Sequence, residues 1–217
     1  MFDLFKQYYD DVDQESFLKD LSEKNFIILL WDKNQNQKEY LFGFSTILKK
    51  HLEEKGILIF SGDTVVDKAH WGTKLLQKAF TKVLLRQRLK YPFTPLYWML
   101  ISKGFKTYLL MRRNFPVSFP NHISKFDQRY FSIWKQFYQD RYSRFFNPET
   151  YLIDFDESKG RVKEMLSQPT EVALKNKDVE YFMKTNSKYA EGVELACIAN
   201  IRWTDIFFSG FKYLFKR

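Results

Sequence analysis

The chain has 217 residues, a formal net charge of +9, 45% apolar residues and 19% aromatic ones. That much apolar and ring surface excludes an intrinsically disordered chain and suffices for a sizeable core. The positive charge favours anionic partners, whether nucleic acid, acidic lipid or a phosphorylated small molecule; with no long Lys/Arg block, RNA-recognition signature or zinc-finger spacing, nucleic acid is not the expected partner.

The opening MFDLFKQYYDD lacks the basic region and apolar run of a secretory signal. No stretch approaches the roughly 18 uninterrupted apolar residues of a spanning helix, and a cytoplasmic location is expected. A helix is predicted from about Gln14 to Lys24, with Phe17, Leu18 and Leu21 on one face and acidic residues at its start. NFIILLWD reads as a strand, KNQNQK as a turn and EYLFGFSTIL as a second strand, so the two should form a hairpin. Gly43 within a strand marks a bulge or a close backbone approach.

After a polar break, ILIFSGDTVV is a third strand, with Gly62 marking another bulge. Gly72, Leu75, Leu76, Ala79, Phe80 and Val83 then recur at helical spacing until YPFTP stops the ladder. PLYWMLIS is a fourth strand, SKG a turn, and FKTYLLMRRNF a short helix closed by Pro116 and Pro120.

The remainder is richer in helix. Ile123, Phe126, Tyr130, Trp134, Phe137, Tyr138 and Phe145 predict one long amphipathic helix between about Ser124 and Arg144. That stripe is either a core-facing seam or a ligand-binding face. A short strand (YLIDF), helices near Arg161–Leu166 and Asp178–Lys184, a last strand (VELACIANI) and a helical tail follow. The expected class is α/β, a largely antiparallel central sheet flanked by helices. With no repeat or low-complexity linker, one domain spanning 1–217 is expected, its core about 1–120 and a helix-rich extension with a late strand about 121–217.

Chemistry-bearing residues are few. Cys197, the only cysteine, sits in the apolar run ELACIANI and reads as a small buried hydrophobe. His51, His70 and His122 are too scattered for a metal site. The stretch FSGDTVVDKAHWGTKLL is the most informative: a strand, a short polar loop and a helix start. A helix start carries unpaired N–H groups and about half a positive charge, so diphosphate can bind there if the backbone is approachable. The loop offers amides from about Lys68 to Thr73, with Lys68 and Lys74 adding charge. An ordinary strand-to-helix connection is the alternative.

The arrangement resembles the GNAT acyltransferases. FSGDT, WG, LYWMLISKGFKTY and NSKYAEGVELAC are also similar to a bacterial GNAT-like group with no settled substrate, and that likeness covers most of the chain. The family's loop has Gln or Arg, two residues, Gly, one residue, then Gly or Ala. Gly72 matches the last glycine, while His70 stands at the earlier one and Asp67 or Lys68 near the Gln or Arg. The resemblance implies an acyl-CoA co-substrate, acetyl-CoA first, and an amine acceptor, either a small molecule or a peptide. It implies that the Val65 and Val66 amides hold the acyl carbonyl and pantetheine arm, and that Lys68, His70, Trp71, Gly72 and Thr73 line the diphosphate. It implies Tyr108 as the acid for the leaving thiolate and Asp63 as a base; a packed tyrosine and a turn carboxylate are their structural alternatives. Trp71 lies against the cofactor or anchors the helix. Arg112 and Arg113 are phosphate contacts or solvated charges. A non-catalytic binding or membrane-associated protein of the same fold is the competing reading. The segment from Ile206 to Arg217 either docks as a terminal helix or makes peripheral membrane contact.

Overall fold

The computed structural model describes residues 1–10, 12–123, 127–155 and 169–212. In chain order its elements are α1 (Phe2–Lys6), α2 (Gln14–Ser22), β1 (Phe26–Lys33), β2 (Glu39–His51), β3 (Ile57–Val66), α3 (Leu75–Lys90), β4 (Leu96–Ser102), α4 (Phe105–Asn114), β5 (Ser118–Phe119), α5 (Gln128–Tyr142), β6 (Phe146–Asn147), β7 (Leu152–Ile153), α6 (Glu171–Leu174), α7 (Lys177–Thr185), β8 (Glu194–Asn200) and α8 (Trp203–Gly210). The class is mixed α/β: an open, mostly antiparallel eight-stranded sheet flanked by helices, in the order β1-β2-β3-β4-β8-β7-β6, with β5 pairing β8 off that path.

The chain divides into two compact units. One comprises Met1–Tyr8, Asp13–Trp98 and the chain from Ile201 onward; the other comprises Tyr9–Val12 and Met99–Asn200.

In the first unit the predicted hairpin forms. The Asn34 side-chain oxygen accepts the amides of Asn36 and Lys38, both at 3.0 Å, and so shapes the turn between β1 and β2. The register shifts where Leu30 faces Gly43 and Trp31 faces Leu41, which makes Phe42 the extra residue of a bulge. A second shift between β2 and β3 sets Ser45 opposite Thr64 but Ile47 opposite Ser61, so the bulge predicted at Gly62 is present. No other residue suits Gly62 without a local shift, because a Cβ there would sit 2.7 Å from Thr46 Oγ1. Helix α2 begins on Asp13, whose carboxylate accepts the Ser16 amide at 2.8 Å. Phe5 of α1 and Phe17 of α2 pack on Phe44 of β2, the Phe17 ring edge-on at 6.2 Å. Helix α3 packs against β1, β2 and α8.

In the second unit β8 is the centre. Strands β5 and β7 pair with it antiparallel, and β6 pairs with β7. The aromatic stripe of α5 is a core seam where it lies on the helix: Ile133, Trp134, Phe137, Tyr138 and Tyr142 are buried, whereas Ile123 precedes the helix and is exposed, and Phe126 lies outside the described residues. The Trp134 indole donates to the Ala196 carbonyl at 3.0 Å, and the Tyr138 hydroxyl lies 2.7 Å from the Leu100 carbonyl and 2.8 Å from that of Cys197. Buried rings thus dock α5 with their polar handles satisfied, as burial requires. The helix predicted near Arg161–Leu166 lies outside the described residues. The two-residue strands β5 and β6 escaped prediction, being too short for a two-residue alternation to register.

Candidate functional site

The strand–loop–helix stretch lies in the first unit. After β3 the chain takes a 3-10 turn, Lys68–His70, capped by Asp67, whose carboxylate accepts the Ala69 amide at 2.8 Å. Gly72 follows with φ +84, the left-handed region in which glycine is at ease, and a Cβ there would meet nothing within 4 Å. Conformation, not crowding, therefore fixes glycine at this position. Helix α3 opens three residues later, at Leu75, and its N-cap, Lys74, provides no side-chain cap. Gly72 stands in the loop before the helix, ahead of the apolar stripe in which the sequence placed it.

The loop amides fall into two groups. Lys68 N donates to the Tyr8 hydroxyl at 2.6 Å and Ala69 N to Asp67, while His70, Trp71 and Thr73 donate to the carbonyls of Asp67, Lys68 and His70. These five already have partners. The amides of Gly72, Lys74, Leu75, Leu76 and Gln77 donate to no group among the described residues. The donor set open to a ligand thus starts at Gly72 and runs into the first turn of α3, later in the chain than the expected Lys68–Thr73. Lys68 and Lys74 are exposed beside it.

Strand geometry sorts the two valine amides. Asp67 N donates to the Phe42 carbonyl at 2.6 Å, and Val65 pairs with Phe44. Because successive residues alternate, the Val65 amide faces β2 with that of Asp67, and the Val66 amide faces away. On that outward side the Trp71 indole donates to the Val66 carbonyl at 2.8 Å. The Trp71 ring is exposed, with the Lys68 ammonium 5.9 Å from its centroid. Asp63 is half-buried on β3, beside the bulge.

His70 turns toward the hairpin. Its ring stacks on Phe42 at 3.9 Å, its Nε2 lies 3.2 Å from Asp32 Oδ2 and 3.4 Å from the Tyr40 hydroxyl, and its Nδ1 is buried without a partner. The Asp32 carboxyl is held below its ordinary pKa, first by the Lys33 amide and then by His70. Burial raises the Tyr8 phenol, against the lowering effect of the Lys68 amide it accepts. The bulge at Phe42 supplies the ring on which His70 rests, so hairpin and loop are tied at three points: Asp32, Tyr40 and Phe42.

In the second unit, Tyr108 of α4 is fully buried and its hydroxyl donates to the Pro120 carbonyl at 2.9 Å. Burial drives its pKa far above that of a free phenol. Arg112 is not a solvated charge: it is buried, donating to Asp178 at 2.9 Å, to the Pro116 carbonyl at 3.1 Å and to Ser118 at 2.8 Å. Asp178 also takes His122 Nδ1 at 3.3 Å. Arg113 is exposed. Cys197 is completely buried, and desolvation lifts its thiol well above the ordinary range, which suits the hydrophobe expected from its apolar run.

The structure thus gathers Val66, Lys68, His70, Trp71, Gly72 and Thr73 around one loop. Sequence reasoning missed Tyr8, Asp32, Tyr40 and Phe42, which brace that loop. They lie far from it in the chain, and only hairpin register brings them near; the polar Asp32 at the end of an apolar strand was the one available signal.

No family model matches the chain, and no curated protein matches it. Among solved structures, ElaA of Escherichia coli aligns at 19% identity over 42% of this chain and 60% of its own, with a TM-score of 0.28. The KacTA–DNA complex aligns at 15% identity over 54% of this chain and 80% of its own, with a TM-score of 0.34. The chain therefore spans less than two thirds of the length of ElaA. At these scores neither likeness carries an argument about function.

Proposed function

We propose that this chain is a GNAT-like N-acyltransferase that moves an acyl group, acetyl first, from acyl-CoA to an amine by direct attack. The observation that supports it is the uncapped start of α3 directly behind β3, where the amides of Gly72, Lys74, Leu75, Leu76 and Gln77 await acceptors. The diphosphate of CoA supplies such acceptors, and the helix dipole and neighbouring lysines favour its charge. Lys68, His70, Trp71 and Thr73 border that position. The Val66 amide serves the acyl carbonyl or the pantetheine arm, while Val65 holds the strand in place through its ladder and buried side chain.

In this reading the amine nitrogen bonds to the thioester carbon, the carbon–sulfur bond breaks, and the electron pair leaves on sulfur. Asp63 takes the amine proton and Tyr108 gives one to the thiolate, the roles the family resemblance assigns. For Tyr108 this requires exchanging its bond to Pro120 for one to sulfur.

A second reading, a non-catalytic binding protein of the same fold, is favoured by the five loop amides already paired and by the sealed Tyr108 hydroxyl. Thermal denaturation with CoA, acetyl-CoA and longer acyl-CoAs separates the readings, because a ligand of the native state raises the melting temperature. A rise with CoA and acetyl transfer to an amine panel supports the enzyme. A rise without transfer supports the binding protein, and no rise with any of them defeats both CoA readings.

A further inference from the structure

Helix α8 is inside out for a helix that only docks. Its buried face holds Asp205, Ile206, Ser209 and Gly210. Its outward face carries Trp203, Phe207 and Phe208, followed at the C-cap by Phe211, with 44%, 73%, 70% and 63% of their surface exposed. Trp203, Phe207 and Phe211 recur every four residues, with Phe208 beside them, so the rings form one stripe. The buried polar group is accounted for: Asp205 accepts the Arg202 amide at 3.0 Å and its guanidinium at 3.0 and 2.7 Å. Folding thus explains the inner face and leaves the outer one without a purpose.

The stripe extends beyond the helix. The Trp203 indole donates to the Pro92 carbonyl at 3.0 Å, which brings the end of α3 to the same place. The next residue, Phe93, is 97% exposed, and Leu89 on the last turn of α3 is 62% exposed. Single exposed rings are ordinary, but an aligned set is not. Across 86–93 and 202–212 the charged residues are Arg86, Arg88, Lys90, Arg202, Lys212 and Asp205. Arg88 is buried, giving its guanidinium to the Thr94 and Ile201 carbonyls, and Asp205 is buried against Arg202, so the exposed charges of these two stretches, Arg86, Lys90, Arg202 and Lys212, are all cationic.

We propose that this face of the first unit, α8 with the end of α3, docks on an anionic lipid bilayer. Aromatic rings settle at the headgroup level and the flanking cations meet lipid phosphates. Charge favours this occupant over a second copy of the chain, which would bring two cationic rims together. The inference is independent of the acyl-transfer reading.

The test is flotation of the purified chain with vesicles of phosphatidylcholine alone and of phosphatidylcholine mixed with phosphatidylglycerol. The expected result is binding to the mixed vesicles, weakened by salt, and little binding to the neutral ones. The double variant Phe207→Ser, Phe208→Ser should lower the partition coefficient by about tenfold or more with an unchanged melting temperature, since both rings are exposed. Lys212→Glu, an independent variant, should weaken binding to the mixed vesicles alone. No binding to mixed vesicles overturns the proposal, as does equal binding by the double variant. So does a dimer in lipid-free buffer, seen by sedimentation, that the double variant dissolves: the face then belongs to a second copy.

Discussion

The Trp71 indole nitrogen donates to the Val66 carbonyl at 2.8 Å and so fastens the loop behind β3 to the outward edge of that strand. One bond thus places a large exposed ring beside the Val66 amide, which turns away from β2. Trp71→Phe keeps most of the ring and loses the bond. It should cost about 1 kcal/mol in urea unfolding, the usual net value of such a bond, and weaken CoA binding. A loss near zero would mean that the loop is held by its other ties.

Gly72 and Gly62 separate two reasons for glycine. At Gly72 the φ of +84 is the obstacle and space is not, so Gly72→Ala should cost about 1–2 kcal/mol from backbone strain alone. At Gly62 a new Cβ would meet Thr46 Oγ1 at 2.7 Å, so Gly62→Ala should cost about 1–3 kcal/mol through overpacking. Chemical denaturation measures both. Only the Gly72 variant should weaken CoA binding by more than its stability loss explains.

Asp32 gives a pH prediction. Its folded-state pKa is depressed, so its contribution is complete above the ordinary carboxylate range and disappears as pH falls through the lowered value. Asp32→Asn should therefore flatten the acid limb of the stability curve below about pH 4. It should leave the shape above that range little changed. An acid limb identical to that of the unaltered protein would show that the carboxylate titrates alike in both states.

Arg112 sits in a buried network with Asp178, Pro116 and Ser118. Removing one partner of a buried pair strands the other, so Arg112→Ala should cost about 3–5 kcal/mol. Arg113→Ala, on the exposed side of the same helix, should lie within about 0.5 kcal/mol of the parent. Equal effects of the two would contradict the network.

Tyr108→Phe tests mechanism and packing together. Losing the bond to Pro120 should cost about 1–3 kcal/mol by leaving a buried carbonyl unpaired. If Tyr108 is the acid, turnover falls while CoA binding holds. Turnover unchanged after correction for folded fraction would remove Tyr108 from the mechanism.

The elements of the first half were legible because their signals are local. β3 starts and stops where its apolar run does, and the bulges at the hairpin and at Gly62 follow from glycine within strands. The α5 stripe was readable as a core seam for the same reason, since helical spacing alone aligns its rings. The site was less legible because hydrogen bonding within it is not local. Nothing in DKAHWG reveals that Tyr8 would take the Lys68 amide or that His70 would lie on Phe42. The sequence counts amides, and only the fold decides which are already spent on the protein itself.

The most direct measurement is the amide spectrum of the isotopically labelled chain titrated with CoA and, separately, with pantetheine, which lacks the diphosphate. Large shifts of the Gly72, Leu75 and Leu76 cross-peaks with CoA, and small ones with pantetheine, are the predicted result. Binding of CoA that leaves those three peaks in place, or no binding, would contradict it.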